Sequence, residues 1–272
     1  MRPRRGTPGG RPQPAATGRT RGPLSLARAL SKFGVCSRKE AARWIEAGRV
    51  AVNGRAERWP QRRIDPRRDR VSVDGARVGD DSERVVLALH KPVGFITSRG
   101  DPGGRATVYD LLGACGRWVF PVGRLDRDSS GLLILTNDHR LGQRLSDPEH
   151  GVAKTYHVLV QGVPDRTALE ALREGVALDG AATRPAGVRV LGAARVGTWL
   201  EIVLREGRNR QVRRMCAAVG HEVLELSRVA IGGLALGALP SGEWRRLDAD
   251  EIPRLQAVRG TISDRASFRR PV

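Results

Sequence analysis

The chain has little cysteine, and the three that it has, Cys36, Cys115 and Cys216, lie far apart. They form no Cys-x-x-Cys pair, so the sequence favours neither a disulfide framework nor a zinc site, and we expect no metal. No apolar run approaches the roughly 20 residues that a membrane-spanning helix needs. The basic N-terminus also lacks the apolar core of a signal peptide. These absences predict a reduced, cytoplasmic protein with no membrane partner.

Lysine is scarce as well, because Lys32, Lys39, Lys91 and Lys154 are the only ones and every other basic side chain is arginine. The 48 basic residues outnumber the 29 acidic ones, which gives a formal net charge of +19. A GC-rich genome also favours arginine over lysine, but codon usage does not account for the net charge. The excess predicts a polyanionic partner, and arginine suits phosphate contacts and stacking on bases.

The first 22 residues contain no acid and almost no large apolar side chain. Such a segment cannot build a core, so we expect residues 1–22 to be a disordered basic arm. The arm either contacts RNA non-specifically or has no role in binding. At the other end, residues 261–272 are predicted to be a C-terminal tail.

A compact unit is predicted over residues 23–84, including a linker to the second domain. Leu26, Leu30 and Phe33 share one helical face and Gly34 ends that helix. Ser37-Arg38-Lys39-Glu40 is a capping box that begins a second helix, which stops at Gly48. Val50–Val52 then alternates into Asn53-Gly54, which is typical of a hairpin turn. The predicted order is therefore helix, helix, hairpin.

This unit resembles an S4 domain, a small RNA-binding module, over "LARALSKFGVCSRKEAARWIEAGRVAVNG", residues 26–54. From Leu24 to Trp59 it has eight basic residues and three acids. Arg38, Lys39 and Arg43 lie on or beside the second helix, away from its apolar stripe. They form either a solvated helix face or a phosphate-binding face, and the net charge favours the second. We therefore predict that these three residues bind RNA.

Residues 85–260 are predicted to form a second domain of the α+β class, built on a mixed, largely antiparallel sheet. Apolar runs recur without regular βαβ spacing, at residues 85–89, 118–122, 132–135, 157–160, 188–191 and 200–204. Helices are expected near residues 138–146 and 167–174.

The loop before the run at residues 132–135 is unusually charged, since Arg124, Asp126, Arg127 and Asp128 lie between two apolar strands. Charged side chains in such a place form ion pairs, face the solvent or take part in function. A carboxylate near arginines is favoured as the anion and can act as nucleophile or base. On spacing alone, a salt-bridged turn that caps a strand is the favoured explanation of the loop.

Two further clusters come later in the chain. Tyr156, one of only two tyrosines, begins an apolar strand, and an enzyme that acts on a base needs such a ring to stack on it. In "REGRNRQVRRMCAAVGH", residues 205–221, four apolar positions share one helical face. Arg208, Arg210 and Arg213 lie at the start and on the other faces with few local acids. This pattern favours phosphate or carboxylate binding over a merely solvated helix.

Together these clusters resemble the catalytic domain of a pseudouridine synthase of the RsuA/RluB type over residues 87–247. The matching stretches are "LHKPVGFITSRGDPGGRATVYDLL", "PVGRLDRDSSGLLILTND", "KTYHV" and "EGRNRQVRRM". The family pattern often has threonine where this chain has Ser129, a mild departure. The resemblance extends from the S4-like unit through most of the chain.

The resemblance implies a role for each matching residue. Asp126 matches the essential aspartate, Tyr156 the tyrosine that lies against the target base, and Arg213 the basic residue that pairs with the aspartate. Arg124 matches an arginine that helps to hold the flipped-out nucleotide. Arg208 and Arg210 are predicted RNA contacts. Asp126 is left with three possible steps: attack on the base, attack on the sugar, or proton removal from the sugar.

The resemblance predicts isomerisation of a specific uridine to pseudouridine in ribosomal RNA, free or in an assembling subunit, by a monomer. The change involves no oxidation or reduction and needs no cofactor. The long arm and residues 118–138 favour the RluB side of the family, and hence large-subunit (23S) RNA.

Two alternatives remain open at this point. One is a non-enzymatic S4-type RNA-binding or ribosome-assembly protein. The other is a glycosidase or nuclease that uses Asp126 with Asp128, although no metal-ligand set accompanies these two acids.

Overall fold

The computed structural model describes residues 23–66, 68–79, 84–113, 115 and 118–257. The predicted arm at residues 1–22 and tail at residues 261–272 lie outside these ranges. The N-terminal unit contains, in chain order, β1 (Leu24–Ser25), α1 (Leu26–Lys32), α2 (Arg38–Glu46), β2 (Val50–Val52), β3 (Arg55–Glu57), β4 (Arg63–Ile64), β5 (Val71–Val73) and β6 (Ala76–Val78). The strands β3-β2-β5-β6 form one antiparallel sheet, and β1 pairs with β4.

Local chemistry in this unit agrees with the sequence pattern. The Ser37 hydroxyl accepts the amide of Glu40 at 3.2 Å while the Glu40 carboxylate accepts the amide of Ser37, so the predicted capping box is confirmed. Asn53 and Gly54 both have positive φ, as a two-residue hairpin turn between β2 and β3 requires. Leu26, Leu30 and Ile45 are fully buried in the unit's own hydrophobic core.

The larger unit contains eleven strands and four α-helices within the described residues. Its strands are β7 (Val86–Lys91), β8 (Phe120–Pro121), β9 (Ser130–Thr136), β10 (Lys154–Gln161), β11 (Ala177–Leu178), β12 (Ala181–Ala182), β13 (Gly187–Ala194), β14 (Gly197–Leu204), β15 (Val223–Ile231), β16 (Leu234–Ala235) and β17 (Trp244–Arg246). Its helices are α3 (His139–Ser146), α4 (Arg166–Glu174), α5 (Gln211–Ala218) and α6 (Glu251–Leu255), with a 3₁₀ turn at Pro148–His150.

One mixed sheet of nine strands organises this unit, in the order β13-β14-β10-β15-β9-β7-β17 with β8 and β16 beside it. Neighbouring strands are antiparallel except β15 and β9, which are parallel. The predicted α+β class and largely antiparallel sheet are confirmed. The apolar run at residues 132–135 is uninterrupted because β9 is covered on both faces, by two separate hydrophobic clusters.

Two strand predictions need correction. The run at residues 118–122 forms only the short β8, although the amide of Val122 still donates to the carbonyl oxygen of Ile134 on β9. Pro121 has no amide to offer a further strand, which suits a strand at the edge of a sheet. β15 was not predicted at all, although it lies at the centre of the sheet between β10 and β9. Its polar residues and the register shifts in its pairing with β10 break the period-2 pattern that marks a strand.

The two units contact each other through polar groups. The His139 ring donates from Nε2 to the carbonyl oxygen of Ser31 at 2.8 Å. Arg99, in the loop after β7, pairs with Glu40 of α2 at 2.8 Å. The helix-ending Gly34 lies against Asn137, and a Cβ on Gly34 would approach the Asn137 Cβ to 2.8 Å. These contacts place α2 next to the loop after β7.

Candidate active site

The loop that carries Asp126 connects β8 to β9 and is clamped on both sides of the carboxylate. The Thr97 hydroxyl donates to the carbonyl of Leu125 at 2.8 Å. The amide of Gly94 donates to the carbonyl of Arg127 at 2.8 Å. The segment after β7 thereby fixes the backbone of the two residues that flank Asp126.

A buried lysine completes this support. Lys91 is fully buried at the end of β7, and its Nζ donates to the carbonyls of Ser129 at 2.6 Å and Pro92 at 3.0 Å. Burial lowers the pKa of Lys91 to about 8, while the nearby carboxylates of Asp128 and Asp126 act in the opposite direction. Lys91 therefore adds a positive charge beneath the loop as well as two hydrogen bonds.

Asp126 and Asp128 have different environments. Arg210 donates to both oxygens of Asp128, at 3.1 and 2.8 Å, and lowers the pKa of Asp128. The Nε of Arg213 lies 3.3 Å from the Asp128 carboxylate. Asp126, whose side chain is 35% exposed, has among the described residues only Arg210 at 3.6 Å, which is too long for a hydrogen bond. Asp128 therefore forms the salt bridges of this turn, whereas the Asp126 carboxylate remains open.

Arg210 reaches both carboxylates from a strained position. It is the N-cap of α5 and has φ 47° and ψ 36°, a left-handed conformation that is uncommon for a residue other than glycine. Such strain occurs where surrounding contacts hold a residue in place, and functional sites are common examples. Here the bidentate pair with Asp128 holds Arg210 in this conformation.

A cavity of about 340 Å³ opens beside Asp126. It is lined by Val122, Gly123, Arg124, Leu125, Asp126, Ser129, Leu145, Ser146, Lys154, Tyr156, Leu204, Glu206, Gly207, Arg208, Asn209, Arg210, Gln211, Val212, Leu226, Arg228 and Ile231. Five residues that the sequence selected therefore meet at one pocket: Arg124, Asp126, Tyr156, Arg208 and Arg210. Arg124 is exposed and has no ion pair with any residue in the described ranges.

The basic helix α5 differs from its prediction in one respect. Arg213 does not line the cavity. It pairs with Asp128 and not, as expected, with Asp126. The Arg208 guanidinium donates to the carbonyls of Ala181 and Ala182, which ties it to β12. Arg208 also lies 3.6 Å from the carboxylate of the nearby Glu206, whereas the acidic partner of Arg210 and Arg213 comes from a distant segment of the chain.

The remaining selected residues lie on the S4-like unit. Arg38, Lys39 and Arg43 are exposed on α2 and form no ion pair within the part of the chain that is described. They lie outside the cavity, as expected of a separate RNA contact. The sequence did not select Lys91, Lys154 or Arg228 as site residues. In the sequence, each of the three is marked only as a charged side chain within an apolar strand or at one end of it.

Comparisons with known proteins identify the family of the chain. The family model of RNA pseudouridylate synthases matches residues 85–218, and that of S4 domains matches residues 25–66. An uncharacterized RNA pseudouridine synthase of Aquifex aeolicus is 40% identical over 227 residues, covering 83% of this chain and 91% of that protein. The chain belongs to the RNA pseudouridylate synthase family. It is an enzyme of the isomerase class that acts on RNA.

Further relatives extend the likeness along the chain. The ribosomal large subunit pseudouridine synthase B of Bacillus subtilis is 36% identical, covering 86% of this chain and 96% of the relative. A solved pseudouridylate synthase superposes with a TM-score of 0.62 at 30% identity, covering 85% of this chain and 99% of that structure. In this pseudouridine synthase, no helix of the described residues has both the length and the apolar character to cross a membrane.

Proposed function

We propose that this pseudouridine synthase converts a uridine of large-subunit (23S) ribosomal RNA to pseudouridine, with Asp126 as its catalytic carboxylate. The observation that carries the proposal is the contrast between Asp126, open to the cavity, and Asp128, engaged by two arginines. The named large-subunit relatives support the substrate. The enzyme acts as a cytoplasmic monomer, on free RNA or on an assembling subunit.

The reaction breaks the bond between N1 of the base and C1′ of the sugar and forms a bond from C5 to C1′. C5 loses its proton and N1 gains one, so the change is an isomerisation. The target base must first leave its stack, at a cost of about a few kcal/mol, which phosphate contacts offset. The exposure of Arg124 at the cavity supports a role for this residue in holding the flipped nucleotide.

The other residues have distinct proposed roles. Tyr156 lines the cavity on β10 and offers its ring to the base. Arg213 is a positioning residue, since it reaches the site through the carboxylate and carbonyl of Asp128. Arg210 supplies the cation closest to Asp126. Arg38, Lys39 and Arg43 bind RNA phosphates from the S4 unit, whereas Arg208 contributes to the cavity wall.

The test is conversion of unmodified ribosomal RNA, mapped by primer extension after carbodiimide treatment. Asp126→Asn should lower the rate by about 10²- to 10⁴-fold or more, as expected for loss of a catalytic acid or base. Asp248→Asn, on an exposed aspartate outside the cavity, is the control and should match wild type. A wild-type protein that forms no pseudouridine in any large RNA refutes the function, and full activity of Asp126→Asn refutes only the site.

A further inference from the structure

Two cations that line the cavity, Lys154 and Arg228, have no part in the proposed reaction. Lys154 precedes Tyr156 by two residues on β10, so both side chains lie on the same face of the sheet. Arg228 is the cross-strand partner of Tyr156 on β15. Both cations line the cavity beside the ring that is proposed to meet the base.

Neither cation has a counter-ion among the residues that the structure describes. Arg228 is only 4% exposed, its Nε donates to the carbonyl of Leu132 at 2.8 Å, and its buried Nη2 has no hydrogen-bond partner there. The Lys154 side chain is partly buried and forms no hydrogen bond or ion pair within the described ranges. The cavity's other acid, Glu206, accepts hydrogen bonds from Gln211 and from the amide of Arg184.

Such an arrangement carries an electrostatic cost. Burial and the neighbouring Arg228 together lower the pKa of Lys154 to about 8. A buried charge without a partner is unfavourable unless a ligand completes it. The pair therefore indicates a site for an anion within the cavity.

The reaction itself supplies an anion at this place. If Asp126 attacks the sugar or removes a proton from it, the N1–C1′ bond breaks and its electron pair stays on the ring, spread over N1, O2 and O4. If Asp126 instead adds to the base, the displaced electron pair also moves onto the ring oxygens. In every route the uracil ring becomes negative before C5 bonds to C1′, C5 loses its proton and N1 gains one.

We propose that Lys154 and Arg228 form an anion site that neutralises the charge developing on the uracil ring during isomerisation. This inference rests on the proposed function and assigns two further groups to it. Preorganised cations in a partly dry site stabilise developing charge far more than they would in water. They also retain the cleaved ring, because an anion that is paired with two cations does not diffuse away.

The target nucleotide brings a second anion, its phosphate. Burial favours the ring, because Arg228 is almost fully enclosed while phosphates lie on the RNA backbone. The exposed guanidinium of Arg124 is available at the cavity for a phosphate. The two sources differ in kinetics: a phosphate contact strengthens RNA binding, whereas a contact to the ring's developing charge acts on the rate of the chemical step.

The test compares Lys154→Met, Lys154→Arg and Arg166→Met in single-turnover reactions with unmodified ribosomal RNA. Arg166 is an exposed arginine of α4 and serves as the control for loss of one charge. Lys154→Met should react about 10²-fold more slowly, as when one charge-stabilising donor is removed, with an unchanged Kd for the RNA. Lys154→Arg should keep most of the rate, and Arg166→Met should match wild type in both measurements.

The pH profile separates an electrostatic role from a structural one. Lys154 is cationic below its pKa of about 8, so the wild-type rate should fall above pH 8. Arginine stays charged, so Lys154→Arg should not show that fall. The other charged groups around the cavity are Arg124, Asp126, Glu206, Arg208, Arg210 and Arg228. Lys91, beneath the Asp126 loop, also has a pKa of about 8.

A fall above pH 8 that persists in Lys154→Arg belongs to Lys91 and overturns the proposal. A weaker Kd with an unchanged rate in Lys154→Met also overturns it, because the site would then hold a phosphate. Full activity of Lys154→Met has the same consequence. Equal melting temperatures of the variants confirm that rates are compared between folded proteins. Each of these outcomes requires an active wild type, so none is confused with failure of the proposed function.

Discussion

Two aspartates that are separated by a single residue divide the work of the charged loop. The Asp128 carboxylate accepts hydrogen bonds from Arg210 on both oxygens and lies beside the Nε of Arg213. Its charge therefore fixes the loop to α5. Asp126 is held through the backbone of its neighbours and through its own carbonyl oxygen, which accepts a hydrogen bond from the amide of Ser129, and its carboxylate stays available to the cavity. Sequence alone offered either a salt bridge or a catalytic acid for this loop, and the structure pairs Asp128 with arginines while it leaves the Asp126 carboxylate at the cavity.

The first prediction concerns Asp128→Asn. Without the carboxylate, Arg210 loses its bidentate partner and has only Asp126 nearby, while Arg213 loses the anion on its Nε. We expect Arg210 to move onto Asp126 and the rate to fall by up to about 10²-fold, as small displacements of catalytic groups do. Single-turnover rates at saturating RNA measure the change. A rate equal to wild type would show that Asp128 does not position the site.

Among the secondary-structure elements, those with a local cause were the predictable ones. The capping box, the Asn53-Gly54 hairpin and the apolar face of α5 each depend on residues within a few positions of one another. β15 and the ion pairs of α5 depend on segments far apart in the chain. The sequence therefore indicated Asp126 and Tyr156 but missed Arg228, whose place in the site exists only because β15 enters the sheet between β10 and β9.

The parallel contact of β15 with β9 has a specific requirement. Gly131 pairs with Arg228 and has φ +108°, and a Cβ there would lie 2.3 Å from the Arg228 carbonyl oxygen. Only glycine permits this approach. The glycine at the end of the charged loop thus allows the strand carrying Arg228 to reach the cavity.

The second prediction concerns Gly131→Ala. The new methyl group must push β15 from β9 and the backbone must keep an unfavourable φ, so we expect a loss of about 1–3 kcal/mol in the free energy of unfolding. Gly100→Ala is the matched control, because nothing lies within 4 Å of the position of its Cβ. Thermal melting measures both variants. Equal melting temperatures for the two would contradict the close approach.

For the molecule as a whole, polar contacts hold the S4 unit against the larger unit. His139 and Arg99 of the larger unit contact Ser31 and Glu40 of the smaller one. Burial lowers the pKa of His139, so its ring is neutral at physiological pH and serves as a simple hydrogen-bond donor. These contacts hold the basic face of α2 against the larger unit, and the proposed function assigns RNA binding to α2 and chemistry to the cavity.

The third prediction comes from that division and concerns Lys39→Ala combined with Arg43→Ala. Both side chains are exposed and without acidic partners in the described ranges, so their removal takes away phosphate contacts without disturbing a salt bridge. The Kd for ribosomal RNA should rise, and the slope of log K against log salt should flatten by about 0.7–0.9 for each phosphate that the variant no longer neutralises. Because α2 does not line the cavity, the single-turnover rate at saturating RNA should stay at the wild-type value.

Arg195→Ala, on the turn between β13 and β14, removes an exposed charge and should leave the slope unchanged. A fall in the saturated rate of the double variant would mean that α2 also places the target uridine, and the separation of binding from chemistry would then be wrong.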